Sequence, residues 1–216
     1  CRRMGIQVNF APDLDVNSNP QNPVIGNRSF GESPDNVSRK ARLYAQGLED
    51  EGVMAVGKHF PGHGGTSGDS HDGAVSTDKT LEELMAEELV PFQSAIDGGV
   101  NFVMVGHISA PNVTGDNAPA TLSKVLITDV LRGQMGYNGI VITDAMNMEA
   151  ITGFYNSDKA AVLAVTAGAD MILMPADYNT AYTGILNAVN DGTITEERIN
   201  ESVTRIVKAK LAMGQP

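Results

Sequence analysis

Val53-Met54-Ala55-Val56 runs through four apolar side chains and then gives way to Lys58-His59-Phe60-Pro61-Gly62-His63-Gly64-Gly65-Thr66-Ser67-Gly68-Asp69-Ser70-His71. The apolar run reads as a buried strand. It delivers a lysine and a histidine to its C-terminal end, where a glycine-rich loop begins. Glycine tolerates backbone shapes that other residues resist, so such a loop can turn sharply. Polar groups and a pliable loop at the end of a buried strand are the ordinary site of chemistry in an α/β fold.

The same pattern recurs outward from this stretch. Ile6 to Ala11, Phe102 to Val105, Gly139 to Thr143 and Met171 to Met174 also read as strands. Helical periodicity fills the gaps: Pro34 to about Asp50 behind the Ser33 cap, Thr80 to about Asp97, Thr121 to Met135, Ser157 to Ala167, Tyr178 to Asn190 and Thr195 to Met213. In the first helix Val37, Ala41, Tyr44, Ala45 and Leu48 share a face that predicts burial. Thr80 with Glu83 three residues on is a capping box. Strands alternating with amphipathic helices predict a parallel sheet covered by helices. Asp13, Lys58, His59, His107 and Asp144 all follow strand C-terminal ends, a placement that favours a (β/α)8 barrel. Five strand–helix units are present, where a barrel needs eight in roughly 250 residues. The expectation is either an open α/β domain or the C-terminal part of a barrel, in one unit spanning residues 1–216.

With 216 residues, 42% of them hydrophobic, the chain can bury one sizeable core. A net charge of -11 argues against nucleic acid or an anionic membrane surface as partner. The single Cys1 excludes an internal disulfide. No apolar run reaches membrane-spanning length. The chain opens on Cys1-Arg2-Arg3-Met4 with the look of a helix tail, so an N-terminal portion is expected to precede it. The compartment is therefore left open.

Asp144, emerging from Ile140-Val141-Ile142-Thr143, is either a helix cap or a reactive carboxylate. Asp69 and His71 lie two apart, so in extended backbone their side chains point the same way. The carboxylate would then fix the imidazole tautomer and favour its protonated form, leaving the other nitrogen for proton transfer. Lys58, His59 and the planar donor fork of Arg28 suit hydrogen bonding to sugar hydroxyls; Asp13 and Asp15 read as loop-holding carboxylates. A competing reading makes His59, His63, His71 and Asp69 ligands of a metal-dependent hydrolase. Pro61 and the glycines space those residues irregularly, and no metal or other cofactor is expected. A non-catalytic ligand-binding module is a third reading.

The segment Lys58 to Gly64 with Asp69-Ser70-His71 resembles the signature of bacterial family 3 glycoside hydrolases of the β-N-acetylglucosaminidase (β-hexosaminidase) type. Asn9-Phe10-Ala11-Pro12-Asp13-Leu14-Asp15-Val16, Asn22 to Gly31, Pro119-Ala120-Thr121-Leu122-Ser123 and Ile142 to Met148 carry the likeness over nearly the whole chain. The resemblance implies a (β/α)8 barrel of TIM type, of which this chain matches units four to eight and lacks the first three. It implies a retaining enzyme that removes terminal β-linked N-acetylglucosamine, as from cell-wall muropeptides. Asp144 would be the nucleophile, His71 the acid and then the base, Asp69 its partner, and Arg28, Lys58 and His59 the sugar-binding residues. A histidine in place of the usual second carboxyl does not repel anions, so phosphorolysis by the same residues is the alternative. Gly65 departs from the Asp frequent in relatives at that position, which would alter loop anchoring. A partial barrel exposes two sheet edges, so self-association through those edges, or weak activity of the isolated 216-residue chain, is expected.

Overall fold

The computed structural model describes residues 1–70 and 73–213. Its main sheet is parallel, with strands β1 (Val8–Asn9), β2 (Met54–Phe60), β4 (Phe102–Val105) and β6 (Ile140–Thr143) side by side in that order. A bridge from Ile142 to Met171 adds the start of a fifth parallel segment. Two short strands, β3 (Val75–Ser76) and β5 (Ile108–Ser109), form a separate parallel pair. Neighbours in the main sheet are neighbours in sequence throughout. A doubly wound sheet reverses its strand order at a switch point; this one never does, and is an arc of the (β/α)8 type.

Helices separate the strands: α1 (Pro34–Asp50), α2 (Leu81–Ala86), α3 (Val90–Asp97), the short α4 (Pro111–Thr114), a wide π-type helix (Val125–Gln134), α5 (Glu149–Thr152), α6 (Ser157–Ala167), α7 (Tyr178–Asn190) and α8 (Glu196–Ala212). The strand residues divide by the period of two that the pleat imposes. Ala55, Val103, Val105 and Val141 face the helices and pack with Ala41, Phe92, Leu126 and Ala164. Met54, Val56, Phe102, Met104, Ile140 and Ile142 face the other way and form a second cluster, against which Ile206 and Ala209 of α8 pack.

Several boundaries differ from the sequence reading, each for a physical reason. The central strand continues through Lys58 and His59 to Phe60, because pairing with β4 persists across an irregular step between Gly57 and Phe60. The Thr80 capping box forms as expected. The helix it opens breaks after Ala86 and restarts at Val90 with Pro91 in its first turn. Tyr44 is 45% exposed, so the buried stripe of α1 is narrower and consists of Val37, Ala41 and Ala45. Met171 makes a single bridge rather than a full strand.

At the N-terminal end of the strands, the fully buried Asp170 carboxylate ties α8 to the sheet. It accepts from Arg132 Nη2 (2.7 Å), Arg205 Nη1 (3.1 Å), Ser202 Oγ (2.6 Å) and the backbone N–H of Val141 (2.9 Å). Among the described residues no helix is long and apolar enough to cross a membrane.

Candidate functional site

The opposite, C-terminal end of the strands gathers most of the polar residues singled out in the sequence. Phe60 packs edge-to-face on Phe92 of α3, with centroids 5.5 Å apart and planes at 87°. Such a pair adds about 0.5–1.5 kcal/mol beyond burial and fixes the strand end that carries Lys58 and His59. Asp13 lies beside Lys58 in a parallel bridge, and the Leu14 N–H donates to the Lys58 carbonyl (2.6 Å). Leu14 is fully buried, and the alternation of the extended chain puts Asp13 and Asp15 together on the face opposite to it.

Asp15 is fully buried and accepts three hydrogen bonds: from His59 Nδ1 (2.7 Å), from the His59 N–H (3.2 Å) and from the His63 N–H (2.6 Å). Burial opposes its charge; the His59 ring, Asp13 and the His63 N–H outweigh burial and hold its pKa down at about 2. A carboxylate only accepts, so His59 Nδ1 carries the proton. On the other side of the ring, Nε2 lies 3.3 Å from Arg28 Nη2. Both ring nitrogens of His59 thus have protein partners, and its side chain is buried. Arg28 sits on the short helical turn Gly26–Arg28, exposed toward the mouth, and also approaches Asp13 Oδ2 at 3.6 Å. Asp13 is pushed up to about 9, first by burial and then by the charge of Asp15, against the opposing pull of Arg28. Lys58 is half-buried; burial and then Arg28 lower its pKa, against the attraction of Asp13, Asp144 and Asp15.

The glycine-rich loop is pinned at its base. His63 is buried, with Nδ1 at 2.8 Å from Thr66 Oγ1 and Nε2 at 3.2 Å from Ser70 Oγ. Burial lowers its pKa, against the pull of Asp15 and then Asp144. Asn22 Nδ2 donates to the carbonyls of His63 and Thr66, both at 2.8 Å. Gly64 is required by close approach: a Cβ there would stand 2.0 Å from the Val16 carbonyl oxygen. A side chain at Gly65 would meet Ser18 Oγ at 2.9 Å and Glu88 Oε1 at 3.1 Å. The break between α2 and α3 lets the buried Glu88 occupy that room, paired with Lys79. An acidic residue at 65 would therefore face a carboxylate. Asp69 is half-buried on this loop, and His71 lies outside the described residues. The Ser70 carbonyl accepts from the Ala150 N–H at 3.4 Å, joining the loop to the segment after β6.

Asp144 stands half-buried at the end of β6, with its N–H donating to Val105 O (2.9 Å) and its Oδ1 accepting from the Ala145 N–H (2.8 Å). It lies within electrostatic reach of Lys58 and His63. His107 supports it from β4: Nε2–H donates to the Ala145 carbonyl (2.9 Å) while Nδ1 meets Thr121 Oγ1 (2.6 Å).

The structure thus brings Arg28, Lys58, His59 and Asp144 to one end of the sheet, together with the base of the loop that carries Asp69. Asp13 and Asp15 have larger parts than the sequence assigned. Their signal was present: two acids two apart behind a strand and a proline. His63, named in the sequence only as a metal ligand, spends both nitrogens on Thr66 and Ser70. Asp13, Asp15 and His59 place acceptor atoms within 4.8 Å of one another, but the positive charge beside them is the Arg28 guanidinium.

Residues 1–209 match the family described as Glycosyl hydrolase family 3 N terminal domain. The chain is 36% identical to Beta-hexosaminidase A of Pseudoalteromonas piscicida over 98% of its own length and 39% of that protein's. It is 38% identical to Beta-hexosaminidase LpqI of Mycobacterium tuberculosis, over 97% of its length and 55% of the relative's. It superposes on a glycoside hydrolase family 3 β-N-acetylglucosaminidase from Paenibacillus sp. str. FPU-7 with a TM-score of 0.97 and 45% identity, covering 99% of this chain and 41% of that one. The chain therefore spans about half, or less, of the length of these relatives.

Proposed function

Because this chain belongs to glycosyl hydrolase family 3, we propose that the whole protein is a retaining β-N-acetylhexosaminidase releasing terminal β-linked N-acetylglucosamine, and that residues 1–216 form the later part of its catalytic barrel. One observation carries this reading. The hydrogen bond from Ala150 N–H to the Ser70 carbonyl joins the loop bearing Asp69-Ser70-His71 to the segment that begins at Asp144. The residue that precedes His71 in the chain is thereby tied to the strand end that carries the proposed nucleophile.

In this mechanism the Asp144 carboxylate attacks the anomeric carbon while the protonated His71 gives its proton to the departing oxygen. The products are free aglycone and a covalent glycosyl-enzyme. The neutral His71 next takes a proton from water, whose oxygen displaces Asp144 and restores both groups. Asp69 orients the imidazole and stabilises its charged form. Arg28 and Lys58 hold the sugar hydroxyls, with His59 holding Arg28. The carbohydrate is the partner of this site; the edges at β1 and Met171 are the surfaces through which copies would self-associate, which sedimentation of the isolated chain tests.

The experiment is turnover of 4-nitrophenyl N-acetyl-β-glucosaminide by the full-length protein, with and without phosphate, followed by trapping with a 2-fluoro sugar. Nitrophenol release, free N-acetylglucosamine and a label on Asp144 are expected. Sugar phosphate as the main product would make the enzyme a phosphorylase. A label elsewhere would overturn the assignment.

A further inference from the structure

Asp13 lies beyond the C-terminal end of β1, bridged to Lys58 of β2. Its side chain is 7% exposed, and its Oδ1 accepts from the Asp15 N–H (3.1 Å). Its Oδ2 is buried without a hydrogen-bond partner, 3.6 Å from Arg28 Nη2 and 4.0 Å from His59 Nδ1. Arg28 meanwhile spends Nη2 on His59 (3.3 Å) and Nη1 on the Val24 carbonyl (3.4 Å). Three protein groups thus flank the inner side of the guanidinium, and its remaining N–H groups are left to the mouth. A guanidinium is a rigid fork, so setting its inner edge also sets the direction of its outer one.

We infer that Asp13 is a positioning residue for sugar recognition: it anchors the inner edge of Arg28 so that the outer N–H groups meet the hydroxyls of the terminal N-acetylhexosamine. This rests on the function proposed above. Asp13 does not touch the sugar, because its Oδ2 is shut off from the mouth. The groups facing it are Asp15 on its own segment, Arg28 on the Gly26–Arg28 turn, and Lys58 and His59 on β2.

Burial beside Asp15 keeps Asp13 protonated through neutral pH, with a pKa of about 9. A neutral carboxyl holds Arg28 at a distance. Once ionised, it draws the guanidinium inward and away from the sugar, so KM rises on the alkaline side. Burial lowers the pKa of Lys58 as well, and any contribution it makes is common to wild type and variant. The comparison of wild type with Asp13→Asn separates the two, because asparagine copies the neutral carboxyl and cannot ionise.

The test measures kcat and KM of the full-length enzyme across pH 6 to 10 for wild type, Asp13→Asn and Asp13→Ala. Asp13→Asn keeps the neutral-pH KM within about twofold and shows a smaller alkaline rise. Asp13→Ala raises KM about tenfold, the order expected when a guanidinium loses one of the polar groups that flank it, with kcat within about twofold. An unchanged KM in Asp13→Ala, or an alkaline rise in Asp13→Asn equal to that of wild type, overturns the inference. A second measurement needs no turnover: the rate at which phenylglyoxal modifies Arg28, followed by peptide mass spectrometry. Asp13→Ala is expected to speed it several-fold and Asp13→Asn to leave it unchanged; equal rates in all three proteins overturn the anchor. Lack of hydrolysis by wild type would reject the proposed function, while the modification rates still decide the anchor.

Discussion

Asp170 and the pair Asp13–Asp15 occupy opposite ends of the same strands, and both clusters are buried. Asp170 is saturated: two arginines, a serine hydroxyl and a backbone N–H donate to it, and Arg198 approaches at 3.6 Å. At the other end Asp15 is equally well served, but Asp13 keeps an oxygen without a hydrogen bond. Arg28 stays exposed and Lys58 is only half-buried. A saturated cluster serves stability. An undersaturated one keeps donors and charge available for a ligand, at a cost in desolvation. Barrel folds divide their two ends in this way, with chemistry at the C-terminal face and stability at the other.

The sharpest way to break this comparison is to remove one carboxylate at each end. Asp144→Asn at the mouth is expected to cut turnover by at least about 10³-fold, as loss of a nucleophile does, while the urea midpoint stays within experimental error. Steady-state rates and urea melts on the same preparation check it. Asp170→Asn is expected to do the reverse. It leaves three arginines facing a neutral group and costs about 3–5 kcal/mol of stability. The kcat/KM per folded molecule should stay the same. A large rate loss without destabilisation in Asp170→Asn would mean the two ends are coupled.

How much of this was visible in the sequence depends on the range of the interaction. Val53 to Val56, Phe102 to Val105 and Ile140 to Thr143 were legible because a buried parallel strand is a run of apolar residues. Thr80 and Glu83 announced their helix start through a local hydrogen-bond pattern. The extension of β2 through Lys58 and His59 was not legible, since only pairing with β4 holds those polar residues in the strand. The strand pattern by itself left barrel against open sheet undecided, because strand order is a tertiary property; the family resemblance pointed to the barrel. Asp144 and Lys58 stood out as polar groups ending apolar strands. The roles of Asp13 and Asp15 did not: the contacts that define them reach Arg28, 15 positions from Asp13, and His59, 44 from Asp15.

A smaller substitution probes the mouth from its backbone. Gly64→Ala would drive a methyl into the Val16 carbonyl, which is main chain and cannot rotate away. A loss of about 2–3 kcal/mol is expected, accompanied by a fall in kcat, because the same backbone carries the loop with Asp69. Gly99→Ala, at a glycine with φ of 86° and nothing within 4 Å of an added Cβ, is the control: modest destabilisation from the left-handed backbone alone and no change in kcat. Equal kinetic effects would show that the anchoring of Gly64 has no special bearing on the site.

The gentlest test leaves the sequence intact and changes pH. Asp15 has a folded pKa of about 2 against an ordinary value of 3.8, so its ionised form is favoured in the folded chain. Its contribution of about 2 kcal/mol is present above pH 4 and is lost as pH falls toward 2. Asp13 has the opposite sign. Its folded pKa is raised to about 9, so its contribution is fully present below pH 4 and drains away as pH rises toward 9. Urea unfolding of wild type and Asp13→Asn across pH 4 to 9 separates the two. The variant should gain steadily on wild type as pH rises, because asparagine has no charge to bury. Asp15→Asn should flatten the acid limb instead. If the difference between Asp13→Asn and wild type were constant from pH 4 to 9, Asp13 would be ionising at its ordinary pKa, and the mouth would resemble the saturated end after all.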